Sequence, residues 1–114
     1  MKYLLLQYAN ETAMMSLPRA EAGRVRTAHL AYIAAMNEAG VLVANYGLRP
    51  TSEATTVRAP GGKRSVMCGP YAGTNERLGD CFLIEVPDLD AAISWAARCP
   101  AIQHGAIEVR PVRA

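Results

Sequence analysis

Tyr3-Leu4-Leu5-Leu6-Gln7-Tyr8 has the length of a strand and is apolar on both faces. Because side chains alternate along a strand, Leu4, Leu6 and Tyr8 fall on one side and Tyr3 and Leu5 on the other. Such a strand needs apolar cover twice over. Cys81-Phe82-Leu83-Ile84-Glu85-Val86 has the same character. Any fold for this chain must therefore cover both sides of the sheet that contains these two strands.

Between and after them, the pattern supplies too few helices to do so. From Arg19 to Ala39 the positions Val25, Ala28, Tyr32, Ile33, Met36 and Ala39 recur at helical spacing, after a break at Ser16-Leu17-Pro18. Gly40 stands where a left-handed helix end favours glycine. Val41 to Ala44 predicts a strand that leads into a loop, Asn45 to Pro50. Thr55–Arg58 and Lys63–Met67, separated by Ala59-Pro60-Gly61-Gly62, predict a hairpin, and Cys68 to Arg77 predicts a loop. Asp88 offers a side-chain cap, and Asp90 places negative charge in the first turn of a helix. That helix buries Leu89, Ala92, Ile93 and Ala96 and stops at Pro100. Ala106 to Val112 predicts the last strand.

The order is β-α-β, hairpin, β-α-β: an α+β, ferredoxin-like βαβ-hairpin-βαβ domain. Two helices cover one face of the sheet. A second copy of the chain, packed sheet to sheet, is the economical cover for the other, so a homodimer is expected.

Composition narrows the function classes. With 114 residues the chain is one domain, and a chain of that size buries roughly 65% of its unfolded surface without help from metal or disulfide. Apolar residues make up 51% and charged residues 19%, which excludes disorder. A net charge of +2, scattered along the chain, gives no electrostatic footprint for a nucleic acid. No apolar run approaches a membrane span, and the N-terminal run is too short for a signal peptide, so a soluble cytoplasmic protein is expected. Cys68, Cys81 and Cys99 form no C-x-x-C spacing, and His29 and His104 match no metal spacing, so neither a disulfide framework nor a metal site is expected. Gly61-Gly62-Lys63-Arg64-Ser65 lacks the upstream glycine and the strand–helix setting of a phosphate loop. No dinucleotide fingerprint is present, and no cofactor is expected.

Thr55-Thr56-Val57-Arg58, the loop Cys68-Gly69-Pro70-Tyr71-Ala72-Gly73-Thr74-Asn75-Glu76, Trp95-Ala96-Ala97-Arg98-Cys99-Pro100 and His104-Gly105-Ala106-Ile107-Glu108-Val109-Arg110-Pro111 together resemble the YCII-related family, in particular its DGPF branch. The resemblance runs over essentially the whole chain and implies a dimeric α+β barrel. The branch's motif reads Asp-Gly-Pro-Phe-x-Glu-Thr-Lys-Glu. Here Cys68 replaces the aspartate, Tyr71 the phenylalanine, Gly73 the first glutamate and Asn75 the lysine, while Gly69, Pro70, Thr74 and Glu76 remain. Arg26-Thr27-Ala28-His29-Leu30 resembles the Arg-x-x-His-Leu helix segment of YCII-like proteins proper. That resemblance implies an active-site role for His29, paired with an aspartate. The family's enzymatic example is similar to a dehydrochlorinase of a chlorinated hydroxyquinol, and other DGPF proteins are associated with sigma factors.

Read as chemistry, His29 shares a helix face with Val25, Tyr32, Ile33 and Met36 and so points at the sheet. Imidazole exchanges protons near neutral pH, which suits a general acid–base; the competing reading is a core histidine satisfied by a backbone carbonyl. Asp80, as orienter of His29 or as the base itself, and Glu11 are the candidate carboxylates, though each reads more simply as a solvated residue at a strand end. Cys68 is a candidate at a pocket rim, as a nucleophile if a neighbour lowers its pKa or as a packing residue filling the place of the lost aspartate. Tyr46, Arg49 and Tyr71 are candidates for lining a site for a planar or anionic ligand; Arg49 can also be surface and Tyr71 can fill a hydrophobic slot. Two functions follow. One is a cofactor-independent lyase, isomerase or cyclase acting on a small oxygenated ring compound. The other is a non-catalytic ligand-binding or regulatory protein that keeps the fold.

Overall fold

A computed structural model describes all of residues 1–114. Strand β1 runs Lys2–Asn10, helix α1 Glu11–Met15, helix α2 Arg19–Glu38 and strand β2 Leu42–Gly47. The hairpin is β3, Thr55–Arg58, with β4, Ser65–Cys68; then come β5, Glu76–Glu85, helix α3, Leu89–Arg98, and β6, Gly105–Pro111. The main sheet has the order β2-β5-β1-β6 with every neighbouring pair antiparallel. The strand of the other half lies between β1 and β2, and again between β5 and β6, which is the split βαβ arrangement of a ferredoxin-like fold. The expected α+β class and element order are therefore observed.

The expected two-faced strands are central. Tyr3, Leu5 and Ala9 of β1 and Phe82 and Ile84 of β5 are buried, and with Tyr32 and Met36 of α2 and Ala92 and Ala96 of α3 they form most of the core. Tyr32 donates its hydroxyl hydrogen to the Trp95 carbonyl at 2.7 Å, tying the two long helices together, and packs edge-on against Phe82 at 5.5 Å. Leu4, Leu6 and Tyr8, with their β5 partners Leu83, Cys81 and Leu78, face away from the helices.

Several boundaries differ from expectation. Asn10 accepts from the Ala13 N–H at 2.9 Å and starts the short helix α1, where only a polar strand end was expected. Strand β2 continues through Asn45, Tyr46 and Gly47 because β5 keeps pairing with it, Tyr46 opposite Cys81 and Gly47 opposite Asp80. Strand β5 begins at Glu76, five residues earlier than expected, with a bulge at Gly79. Leu89 and Ile93 are about half exposed, and the inner stripe of α3 is Ala92 and Ala96, flanked by Ala91 and Trp95. Asp88 caps α3 as expected, accepting from the Ala91 N–H. The left-handed Gly40 ends α2 as expected.

The two legs of the hairpin are closed at its base by Gly69 N–H to the Ala54 carbonyl and Thr56 Oγ1 to the Gly69 carbonyl, both at 2.7 Å, and β3 and β4 pair only with each other, as a sheet separate from the main one. It stands away from the body as an arm. The radius of gyration is 15.9 Å, against roughly 13 Å for a compact chain of this size.

Gly105 begins β6 where a Cβ would lie 1.9 Å from the Tyr8 carbonyl oxygen. Gly105→Ala is expected to destabilise the fold by about 3 kcal/mol, the upper range for overpacking, because the atom it meets is backbone and cannot swing aside. A urea melt measures this, and an unchanged midpoint would contradict it.

Candidate functional site

Moving along the inner face of the sheet, the apolar side chains give way to polar ones at one end. On β1, Gln7 follows Tyr3 and Leu5; on β5, Asp80 precedes Phe82 and Ile84; and Gln7 and Asp80 are register partners. Above them passes the N-terminal half of α2. The two buried residues of that helix, Tyr32 and Met36, both lie in its C-terminal half. Beneath the other half a cleft of about 320 Å³ stays open, and His29 projects into it.

His29 Nε2 lies 3.9 Å from Asp80 Oδ2, with the two side chains 31% and 21% exposed. That distance suits an ion pair and is longer than a hydrogen bond. Phe82 supports the imidazole from below at 5.9 Å between ring centres. Burial pushes the Asp80 carboxyl above the ordinary carboxylate value, and the His29 charge and the Gln7 side chain offset part of that rise. Room for the carboxylate comes from Gly47 on the neighbouring strand, where a Cβ would sit 2.8 Å from Asp80 Oδ1.

Glu11 is placed differently. It lines an adjoining cleft of about 220 Å³ that shares Gln7, Met14 and Asp80 with the first. Both its oxygens are engaged by Thr51, the hydroxyl at 2.7 Å and the backbone N–H at 3.0 Å, with Arg77 at 4.0 Å. The Thr51 hydroxyl and then its N–H hold the Glu11 carboxyl below its ordinary value, with the smallest contribution from Arg77, while desolvation opposes them without outweighing either Thr51 bond. Its geometry is that of a clamp joining α1 to the turn at Thr51–Glu53.

The remaining candidates do not converge on His29. Tyr46 pairs with Cys81 on the open sheet face and is 65% exposed. Arg49 bonds the Glu53 carboxylate at 3.0 Å on the surface. Cys68 and Tyr71 lie together in a separate groove at the base of the hairpin, where Arg58 stacks on the Tyr71 ring at 5.0 Å and bonds its hydroxyl. Cys68 is exposed. Tyr71 is 74% exposed and fills no hydrophobic slot. His29 and Asp80 offer two potential metal ligands, and no cluster of three or more His, Cys, Asp or Glu side chains exists.

Gln7 in the cleft, and Gly47 and Gly79 on the strands that shape it, were not singled out from sequence. Gln7 had a readable sign, a polar side chain interrupting an apolar inner face. Gly47 and the bulge at Gly79 had none, since their importance depends on cross-strand register.

A family model for the YCII-related domain matches residues 1–114. The chain belongs to the YCII-related family. An uncharacterized protein of Rhizobium meliloti is 34% identical over 114 residues, covering 98% of this chain and 92% of that protein. Among solved structures, the 5-chloro-2-hydroxyhydroquinone dehydrochlorinase of Burkholderia phenoliruptrix, in complex with 2,5-dihydroxybenzoquinone, superposes with a TM-score of 0.58 at 15% identity, covering 99% of this chain and 94% of that one. At that identity the likeness speaks for the fold. No helix of this YCII-related chain is long and apolar enough to cross a membrane.

Because burial raises the Asp80 carboxyl, the folded chain holds that proton more tightly than the unfolded chain does. The resulting stabilisation is complete below the unfolded carboxylate pKa and is lost as pH rises through the raised folded value. At neutral pH the ionised Asp80 therefore burdens the fold. Asp80→Asn is expected to raise the melting temperature at pH 7 and to give no gain near pH ~3. Paired thermal melts test this, and a lower melting temperature at pH 7 would mean that the His29 ion pair outweighs burial.

Proposed function

We propose that this protein is a small-molecule enzyme of lyase or isomerase type in which His29 moves a proton and Asp80 orients and balances it. The observation that carries this reading is the His29–Asp80 pair itself. The two groups lie 3.9 Å apart, partly desolvated, against Phe82 at the one end of the inner sheet face where a cleft opens. A catalytic imidazole needs a neighbour that balances the charge it gains and draws the ring toward one orientation, and a carboxylate at ion-pair distance supplies that attraction. Burial works against the ionised form of Asp80, and a carboxylate held in a cleft at that cost, beside an imidazole, is the pattern of a functional group.

The cleft volume suits a single-ring ligand, at the small end of ligand pockets. An oxygenated ring is the substrate class we favour, in keeping with the ring compound bound by the dehydrochlorinase of like fold. Moving a proton from a ring hydroxyl to a ring carbon through His29 is an isomerisation. If that carbon carries a halide, loss of a second hydroxyl proton with departure of the halide is an elimination. Each step conserves the electron count of the substrate plus leaving groups, so imidazole and carboxylate suffice and no redox cofactor is required.

We further propose that the protein works as a homodimer. Leu4, Leu6, Tyr8, Leu78, Cys81 and Leu83 present a continuous apolar surface on the sheet face without helices, too large a patch for an isolated chain to leave uncovered. A second copy related by a two-fold axis covers it with the same surface.

The catalytic reading is tested with a panel of hydroxylated and chlorinated hydroquinones, beginning with 5-chloro-2-hydroxyhydroquinone, by following chloride release and quinone absorbance. His29→Asn is expected to lower turnover by about 10²- to 10⁴-fold, the usual contribution of a general acid–base. Equal rates in the two proteins would eliminate His29 as the proton carrier. Saturable binding of a ring compound without conversion would favour a ligand-binding or regulatory protein. For assembly, light scattering at micromolar concentration is expected to give a dimer that Leu6→Asp converts to monomer, and a monomeric parent protein would overturn this part.

A further inference from the structure

One residue of the cleft has a charge with nothing to balance it. Ala22, Val25, Arg26 and His29 line the wall from a single stripe of α2, at spacings of three, four and seven. Arg26 is the only arginine or lysine among the lining residues, and it makes neither an ion pair nor a side-chain hydrogen bond. Other arginines near the clefts are held by acids. Arg24 is held by Glu21, and Arg49 by Glu53. Arg77 of the adjoining cleft is engaged by Glu11, by the Thr51 hydroxyl and by the Thr74 carbonyl. Asp80, the one carboxylate of the cleft, faces His29 and lies beyond ion-pair reach of Arg26.

The cleft is therefore polarised. A cation stands at its exposed rim, a carboxylate with its imidazole at its floor, and between them lie the apolar side chains of Met14, Leu17, Val25 and Pro100. A flat ligand that fills this space must meet a negative charge at one end, where only a neutral, proton-bearing edge is welcome. At the other end it meets a guanidinium whose planar fork is suited to bind two oxygens at once.

We infer that Arg26 is the anion-recognition residue of this cleft, and that its natural ligand is a single-ring compound with an ionised oxygen group at one end and a hydroxyl at the other. The inference rests on reading the His29–Asp80 cleft as a substrate site. Arg26 anchors the ionised group and so turns the hydroxyl edge toward His29. A neutral ring of the same shape enters without that anchor and has no preferred direction.

The full-length protein is titrated calorimetrically with 4-hydroxybenzoate and with its neutral isostere 4-hydroxybenzamide. The parent protein is expected to bind the carboxylate about 10-fold more tightly, a modest value because the guanidinium is exposed and screened, and the preference should shrink as salt is raised. Arg26→Gln is expected to bring the two ligands within about 2-fold of each other by weakening the carboxylate and leaving the amide as it was. Arg26→Lys should retain part of the preference, keeping the charge and losing the fork. Equal affinity for the two ligands in the parent protein overturns the inference, as do failure of both to bind at millimolar concentration and a preference that survives Arg26→Gln. His29→Asn separates this inference from the catalytic one. A preserved anion preference in that variant supports the role of Arg26 whatever happens to turnover, and loss of the preference there while Arg26→Gln keeps it assigns recognition to His29 instead.

Discussion

Phe82 lies where the core ends and the cleft begins, and the rest of the molecule is arranged about that point. Its ring is buried at 1% exposure, meets Tyr32 edge-on on the core side, and supports His29 on the other. The residue two positions before it on the same strand is Asp80. Because side chains on a strand repeat every two residues, burying Phe82 on the inner face obliges Asp80 to point inward as well, toward α2. A one-residue slip of β5 would take Phe82 out of the core and the carboxylate out of the cleft together. Burial of the largest fully enclosed side chain thus fixes the register that sets the site.

Two irregularities adapt that register to the site. The bulge at Gly79 lets Gln7 and Asp80 face each other as partners while Tyr8 and Leu78 resume pairing beyond it, on the open face. On the other side of β5, a shift in β2 around Val43 places Gly47 opposite Asp80, where the lack of a side chain leaves space for the carboxylate. The same shift sends Tyr46 to the far face of the sheet. Its absence from the cleft follows from the register that lets Asp80 occupy it.

Much of the fold could be read from the sequence because its signals are local and reinforce one another. The two-faced strands show as unbroken apolar runs, α2 ends on a left-handed glycine, and α3 begins on the Asp88 cap. What escaped reading depends on contacts between distant segments. Five residues of α1 are too few for a periodic pattern, and the helix is held by the Asn10 cap and by the Glu11–Thr51 bonds across the molecule. The rotation of α3 about its axis is set by close approach at Ala92 and Ala96, which leaves Leu89 and Ile93 half exposed despite their apolarity. In the site, the helix face of His29 was readable from spacing alone. The choice of Asp80 over Glu11 as its neighbour was not, since both read as acids at strand ends, and only the early start of β5 at Glu76, which puts Asp80 inside the strand opposite Gln7, tells them apart.

That choice also shows how one chemical group takes two roles by environment. Glu11 receives two hydrogen bonds from Thr51 and a nearby guanidinium, so its charge is welcome and its proton is readily lost. Asp80 is burdened by burial, and His29 and Gln7 answer that burden only in part. A carboxylate fully satisfied by its neighbours has nothing left to offer a ligand. One that is incompletely satisfied, next to an imidazole and open to a cleft, gains from whatever arrives with a proton to share. The sheet supplies both environments within a few residues: a clamp that holds α1 in place and, in the adjoining cleft, a charge kept short of partners.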